Sequence, residues 1–229
     1  MKNADEICVV IQSRLSSQRV PRKMIRPFFG NQSLFSIACE KLCWLNDFYS
    51  TYASVYEPEL DFIAKENCVK VFPRSKESSE CDNNVRLMYE WCYHLPYKYV
   101  VMFNPCLPFL KKETIEQFII SFQETTSESQ FAVFPKKDYF WDKNNRMLNK
   151  WPEGQDLFNT KAVDETYQAA HALYAGRIDL LRDKGIWMCK MPEECPTLYS
   201  VGEEECLDID YQWQFDAYRE LYKSGWRPD

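Results

Sequence analysis

Glycine is scarce in this sequence, six in 229 residues, and histidine scarcer still, with only His94 and His171. The stretch "VVIQSRLSSQRVPRKM", Val9–Met24, stands where a phosphate-binding loop would follow a first strand, yet it holds no glycine. A glycine-built backbone cradle is therefore excluded there, so either the loop binds something else or it binds phosphate by other means, with side chains carrying more of the anion. No C-x-x-C occurs, and with so few histidines the ten scattered cysteines read as buried free thiols, not as a structural zinc site. No apolar run approaches the roughly 18 residues that span a bilayer. The opening "MKNADEICVV" runs straight into a strand with no charged n-region and apolar h-region, so a reduced, cytoplasmic chain is expected.

Two further absences concern charge. Between Glu6 and Glu40 there is no acidic residue, while Arg14, Arg19, Arg22, Lys23 and Arg26 fall within thirteen positions. Between Met191 and Tyr218 there is no lysine or arginine, while Glu193, Glu194, Glu203, Glu204, Glu205, Asp208, Asp210 and Asp216 accumulate. A net charge of −6 with one cationic and one anionic pole argues against a nucleic-acid binder. It points instead to a small polyanionic ligand, with the acidic pole able to hold a divalent cation.

What is present is enough for one sizeable core: 45% of residues are hydrophobic and 16% aromatic, so residues 1–229 are expected to form a single domain. The pattern alternates. "EICVVIQS" is a buried-strand run, and Ser33 caps a helix through Leu45. "TYASVY" and "VKVFPR" are short strands flanking the amphipathic "PELDFIAKENC". "CDNNVRLMYEWCYHL" predicts a helix over 81–95 with Asp82 near its start, followed by the strand "KYVVMFNP". The helix "KKETIEQFIISFQ", the strand "FAVFP", a polar excursion over 136–154, a strand around "QAAHALYAG" and a last helix after Asp210 complete the chain. Such alternation is an α/β fold with a mostly parallel central sheet and helices on both faces, whose ligands sit at the carboxyl ends of the strands. The Val9–Met24 loop and "FNPCLPFL" are the segments that rule selects.

Arg14-x-x-Ser17-x-Arg19-x-Pro21-x-Lys23 with "MIRPFFGNQSLF", then "VVMFNPCLPFL", then "ECLDIDYQWQFDAYREL" occur in this order. Together they resemble the cytidylyltransferases that make CMP-activated acidic sugars, the acylneuraminate and 3-deoxy-manno-octulosonate enzymes, over nearly the whole chain. The opening "IQSR" is also similar to spore-coat-polysaccharide-type members of that superfamily. The resemblance implies a GT-A-like (Rossmann-like) fold and transfer of CMP from CTP to an acidic sugar of the nonulosonic-acid type, releasing pyrophosphate with Mg²⁺ as cofactor. It also implies a homodimer, since the 136–154 excursion falls where such enzymes extend a dimerisation arm.

Carried over residue by residue, the resemblance puts Gln12, Ser13, Arg14, Ser17, Arg19, Lys23 and Asn104 on CTP. It gives Arg14, Lys23 and Asp210 catalytic roles, Asp208 and Asp210 the Mg²⁺, and Asn104 and Lys161 the acceptor. Elementary chemistry agrees, because phosphoryl-type transfer asks for cations and a metal and for no nucleophilic side chain. Carboxylates at i and i+2 of an extended segment face one side, although Asp210 is equally placed to cap the following helix. Departures are visible: Ser16 stands for a glycine, Met24 for an asparagine, Leu110 for an arginine, Lys161 for an arginine and His171 for a glycine. Two alternatives stay open, a phosphonate or other small acid as acceptor, and a non-catalytic nucleotide-binding relative.

Overall fold

The computed structural model describes residues 1–186 and 196–228; Trp187, Cys189, Glu193, Glu194 and Cys195 lie outside them. Strand β1 (Ile7–Gln12) is apolar along nearly its whole length because both of its faces are covered. Ile7, Val9 and Ile11 point into the larger core, Cys8 and Val10 into a smaller one behind. A short hairpin of β2 (Pro27–Phe29) and β3 (Gln32–Ser33) follows, and then β4 (Ser50–Val55), β5 (Lys70–Pro73), β6 (Tyr99–Phe103), β7 (Ser129–Lys136), β8 (Thr166–Arg177) and β9 (Thr197–Ser200). Among the described residues, seven of these strands make one sheet in the order β5-β4-β1-β6-β8-β7-β9. The first four run parallel, so their carboxyl ends share one edge; β8 is antiparallel to both β6 and β7, and β9 is parallel to β7.

Helices α1 (Leu34–Leu45), α2 (Pro58–Glu66), α5 (Lys112–Glu124) and α6 (Gln212–Lys223) bury apolar faces in the larger core. Ser33 caps α1 as expected, accepting from the Ser36 N–H at 3.2 Å, worth about 1 kcal/mol. Short elements cover the other face: α3 (Lys76–Glu80), α4 (Val85–Met88), a 3₁₀ turn over Glu90–Tyr93 and a π-turn over Leu180–Lys184. There Trp91 and Leu181 are fully buried.

The helix expected over 81–95 is broken. Asn84, not Asp82, starts it by accepting from the Arg86 and Leu87 N–H groups, and it ends at Met88, whose carbonyl accepts from Arg74 and Ser78 side chains. Residues 137–165 contain no regular element beyond the Trp141–Met147 bridge, an excursion longer than the predicted 136–154. Its rings cluster: Tyr139 lies 5.0 Å from Phe158 and 5.3 Å from Trp151, and Trp141, Trp151 and Phe158 remain exposed. No helix among the described residues is long and apolar enough to cross a membrane.

Candidate active site

The loop after β1 makes its turns without glycine; Arg22 takes the left-handed conformation instead, at φ 54°. Side chains from elsewhere fix it. Glu57 accepts from the Leu15 N–H at 2.8 Å, Arg22 pairs with Glu59 at 2.9 Å on α2, and Arg26 donates to Gln212 at 2.9 Å on α6. The guanidinium of Arg26 lies 4.3 Å from the Phe215 ring centroid.

The two charge poles of the sequence meet here. Arg19 pairs with Asp210 at 2.8 Å, Lys23 stands 3.8 Å from the same carboxylate, and the Lys23 ammonium donates to the Ile209 carbonyl. Asp210 is free for this because it does not cap α6. The N-cap is Tyr211, and Gln214 reaches back to accept from the Asp210 and Tyr211 N–H groups, each at 2.8 Å.

A cleft of about 670 Å³ opens between the loop and the exits of β5 and β6. Gln12, Ser13, Arg14, Ser17, Arg19, Lys23, Asn104 and Asp210 all line it, so most of the sequence-selected residues are brought together. Several are already engaged: Trp91 donates its indole N–H to Gln12 at 3.1 Å, and Ser17 accepts from the Val20 N–H at 3.3 Å. Arg14 crosses the mouth to the Ser79 carbonyl at 3.0 Å and Asp82 at 2.6 Å. The Ser13 hydroxyl is buried without a hydrogen-bond partner.

The far wall was not anticipated. Arg74, Cys81, Asp82 and Met88 line it. Arg74 is buried at the exit of β5 and held by the Ser78 hydroxyl at 3.2 Å. The strand-exit rule points to this position as much as to the exits of β1 and β6. On the near side the Cys106 thiol, beside Lys23, is pushed up to about 11 by burial, so it stays protonated and is no nucleophile.

Asp208 lies behind Asn104, which donates to its Oδ2 at 3.3 Å. Burial raises its pKa, outweighing the attraction of Lys23, and Asp210 pushes the same way. Its Oδ1 is buried with no hydrogen-bond partner. An orphaned carboxylate oxygen beside a second carboxylate and a triphosphate-sized cleft suits Mg²⁺, which takes one or two protein oxygens and completes its shell with phosphates and water. No group of three or more His, Cys, Asp or Glu side chains that could hold a metal occurs among the described residues, so an all-protein cage is not on offer.

Lys161 is exposed and lines neither this cleft nor its annex. The annex, about 250 Å³, shares Gln12, Asn104 and Pro105 with the cleft and is otherwise walled by Tyr89, Met102, Phe103, His171 and Tyr174. His171 has φ 52°, a left-handed residue where the β7–β8 register shifts between Phe131 and Val133.

The comparisons agree with this architecture. The structure of CMP:2-keto-3-deoxy-manno-octonic acid synthetase complexed with CTP is similar with a TM-score of 0.69 at 12% identity, covering 96% of this chain and 99% of that one. The 4-diphosphocytidyl-2C-methyl-D-erythritol synthase of Anaerococcus prevotii DSM 20548 gives 0.64 at 13%, covering 96% and 100%. A cytidylyltransferase from Leptospira borgpetersenii serovar Hardjo-bovis gives 0.60 at 16%, covering 98% and 89%. These likenesses show the fold; no curated protein matches the sequence. A family model described as cytidylyltransferase matches residues 8–185, from β1 through the far wall and the annex, with Asp208 and Asp210 beyond its end. Spanning most of the sheet and every strand exit that opens on the cleft, that match means the chain belongs to the cytidylyltransferase family, the CTP-dependent nucleotidyltransferases.

Proposed function

We propose that the protein transfers CMP from CTP to a hydroxyl of a small acidic sugar of the nonulosonic-acid type, with Mg²⁺ held by Asp208 and Asp210. The observation that carries this is the meeting of the cationic loop with the carboxylate segment at one cleft, where Arg19 and Lys23 already touch Asp210. Arg14, Arg19 and Lys23 exchange those partners for the triphosphate, Arg14 by bidentate contacts and Lys23 as a compact charge. Ser13 and Ser17 add hydroxyl donors, and Gln12 and Asn104 hold the nucleoside and acceptor ends at the cleft wall. The acceptor oxygen attacks the α-phosphorus, the bond to the β-phosphate oxygen breaks, pyrophosphate leaves, and the hydroxyl proton is lost to water. Charge growing on the leaving pyrophosphate is what Arg14 and Lys23 are placed to neutralise. Bound Mg²⁺ would supply further neutralisation on phosphate oxygens.

The exposed rings of the 136–154 arm support a homodimer in which the arm reaches a second copy. The test of the activity is pyrophosphate release with Mg²⁺, each nucleoside triphosphate in turn and a panel of acidic sugars. Release that needs both CTP and one acidic acceptor is expected. CTP binding with no release on any acceptor would overturn the proposal.

A further inference from the structure

We propose that His171 recognises the carboxylate of the acceptor, a role for which Lys161, which lines neither the cleft nor the annex, is not placed in this chain. This rests on the acidic-sugar reading above. Among the described residues that line the annex there is no lysine and no arginine, so His171 is the one side chain there able to present positive charge. The annex joins the cleft through Gln12, Asn104 and Pro105, which puts a bound acceptor next to the nucleotide.

The ring is placed by its surroundings. Its Nδ1 meets the Tyr174 hydroxyl at 3.0 Å, which leaves Nε2 as the nitrogen for a ligand. The His171 carbonyl accepts from the Asn104 amide at 3.3 Å, and the same amide donates to Asp208 at 3.3 Å. Annex and carboxylate segment are thus held by one side chain. The titratable groups that line the annex with the imidazole are Tyr174 on its own strand and Tyr89 across the annex.

The backbone adds an independent sign. A left-handed residue on a strand favours glycine, and histidine there is disfavoured by about 1 kcal/mol. Such conformations persist where the surrounding structure enforces them, and they gather at functional sites. At His171 the enforcing element is the shifted β7–β8 register, and its result is an imidazole on the wall of the annex.

The test compares wild type, His171→Gln and His171→Lys with CTP, Mg²⁺ and two probes, 3-deoxy-manno-octulosonate and N-acetylneuraminate, each also as its carboxamide. A charge-assisted hydrogen bond to a carboxylate corresponds to about 10- to 100-fold in binding. His171→Gln is therefore expected to raise the KM of the accepted acid by about tenfold or more while leaving the KM for CTP within about twofold. The carboxamide should be a poor acceptor for wild type and no poorer for the variant, and His171→Lys should recover acid preference. Equal CTP binding by all three proteins shows that each is folded. If wild type uses an acid and His171→Gln keeps its KM, this inference falls while the activity stands; if wild type turns over no acid at all, both fall.

Discussion

Lys41 sits on the inner face of α1, buried, with its ammonium donating to the Leu107 carbonyl at 2.9 Å and the Pro108 carbonyl at 3.2 Å. Burial lowers its pKa from 10.5 to about 7; Glu205 and Glu40 oppose the shift and Lys112 adds to it. Between those two values the unfolded chain binds this proton and the folded chain does not, so folding is linked to proton release and stability rises with pH. The slope from this one group approaches about 1.4 kcal/mol per pH unit, and summed over the window it approaches about 5 kcal/mol. Urea denaturation of wild type and Lys41→Met at steps from about pH 6.5 to 9.5 isolates the group, because every other titration cancels in the difference. The stability of wild type relative to Lys41→Met should climb steadily with pH. A flat difference would show that the amine keeps its proton in the fold and that Glu205 outweighs burial. The same carbonyls belong to the segment that begins at Asn104, so the variant should also weaken CTP use.

Asp208→Asn removes a buried charge that has one oxygen unpartnered, and should stabilise the ligand-free protein by about 1 kcal/mol, read as a rise of a few degrees in Tm. In the same scan, Mg²⁺ with CTP should raise the Tm of wild type more than that of the variant; an equal rise would remove Asp208 from the metal. Phe215 is fully buried, edge-on to Phe28 at 5.5 Å. Phe215→Ala should lose about 3–5 kcal/mol in chemical denaturation and loosen the Arg26 tie to α6, whereas a loss below about 1 kcal/mol would show that α6 is held elsewhere. Light scattering at micromolar concentration should give a dimer, and replacing Trp141 and Phe158 by serine should give a monomer; a wild-type monomer would refute the arm.

The sheet was legible because burial on two faces demands an unbroken apolar run, which "ICVVI" supplies without reference to anything distant. Ser33 was legible for the same local reason, its partner being three residues away. Helix 81–95 was not, since its interruption depends on Arg74 and Ser78 capturing the Met88 carbonyl. The charge poles could be read as composition, but their contact through Asp210 is a tertiary fact. His171 shows the limit most plainly. Its left-handed backbone comes from how β7 and β8 are paired, and no window of sequence around it contains β7. Lys161 differs in the opposite way: resemblance to a family segment suggested it for the acceptor, and in the fold it stands within the long excursion and lines neither the cleft nor the annex.

The indole of Trp91 is fully buried, yet its N–H ends on Gln12, whose other side faces the cleft. A chromophore is thereby wired to the binding site through a single hydrogen bond. A ligand that recruits the Gln12 carbonyl either shares it with the indole or takes it from the indole, and the emission of a shielded tryptophan is sensitive to both changes. The protein therefore carries an intrinsic optical reporter, one that a Trp91→Phe difference spectrum can separate from the exposed rings of the arm and that reads occupancy before any chemistry occurs.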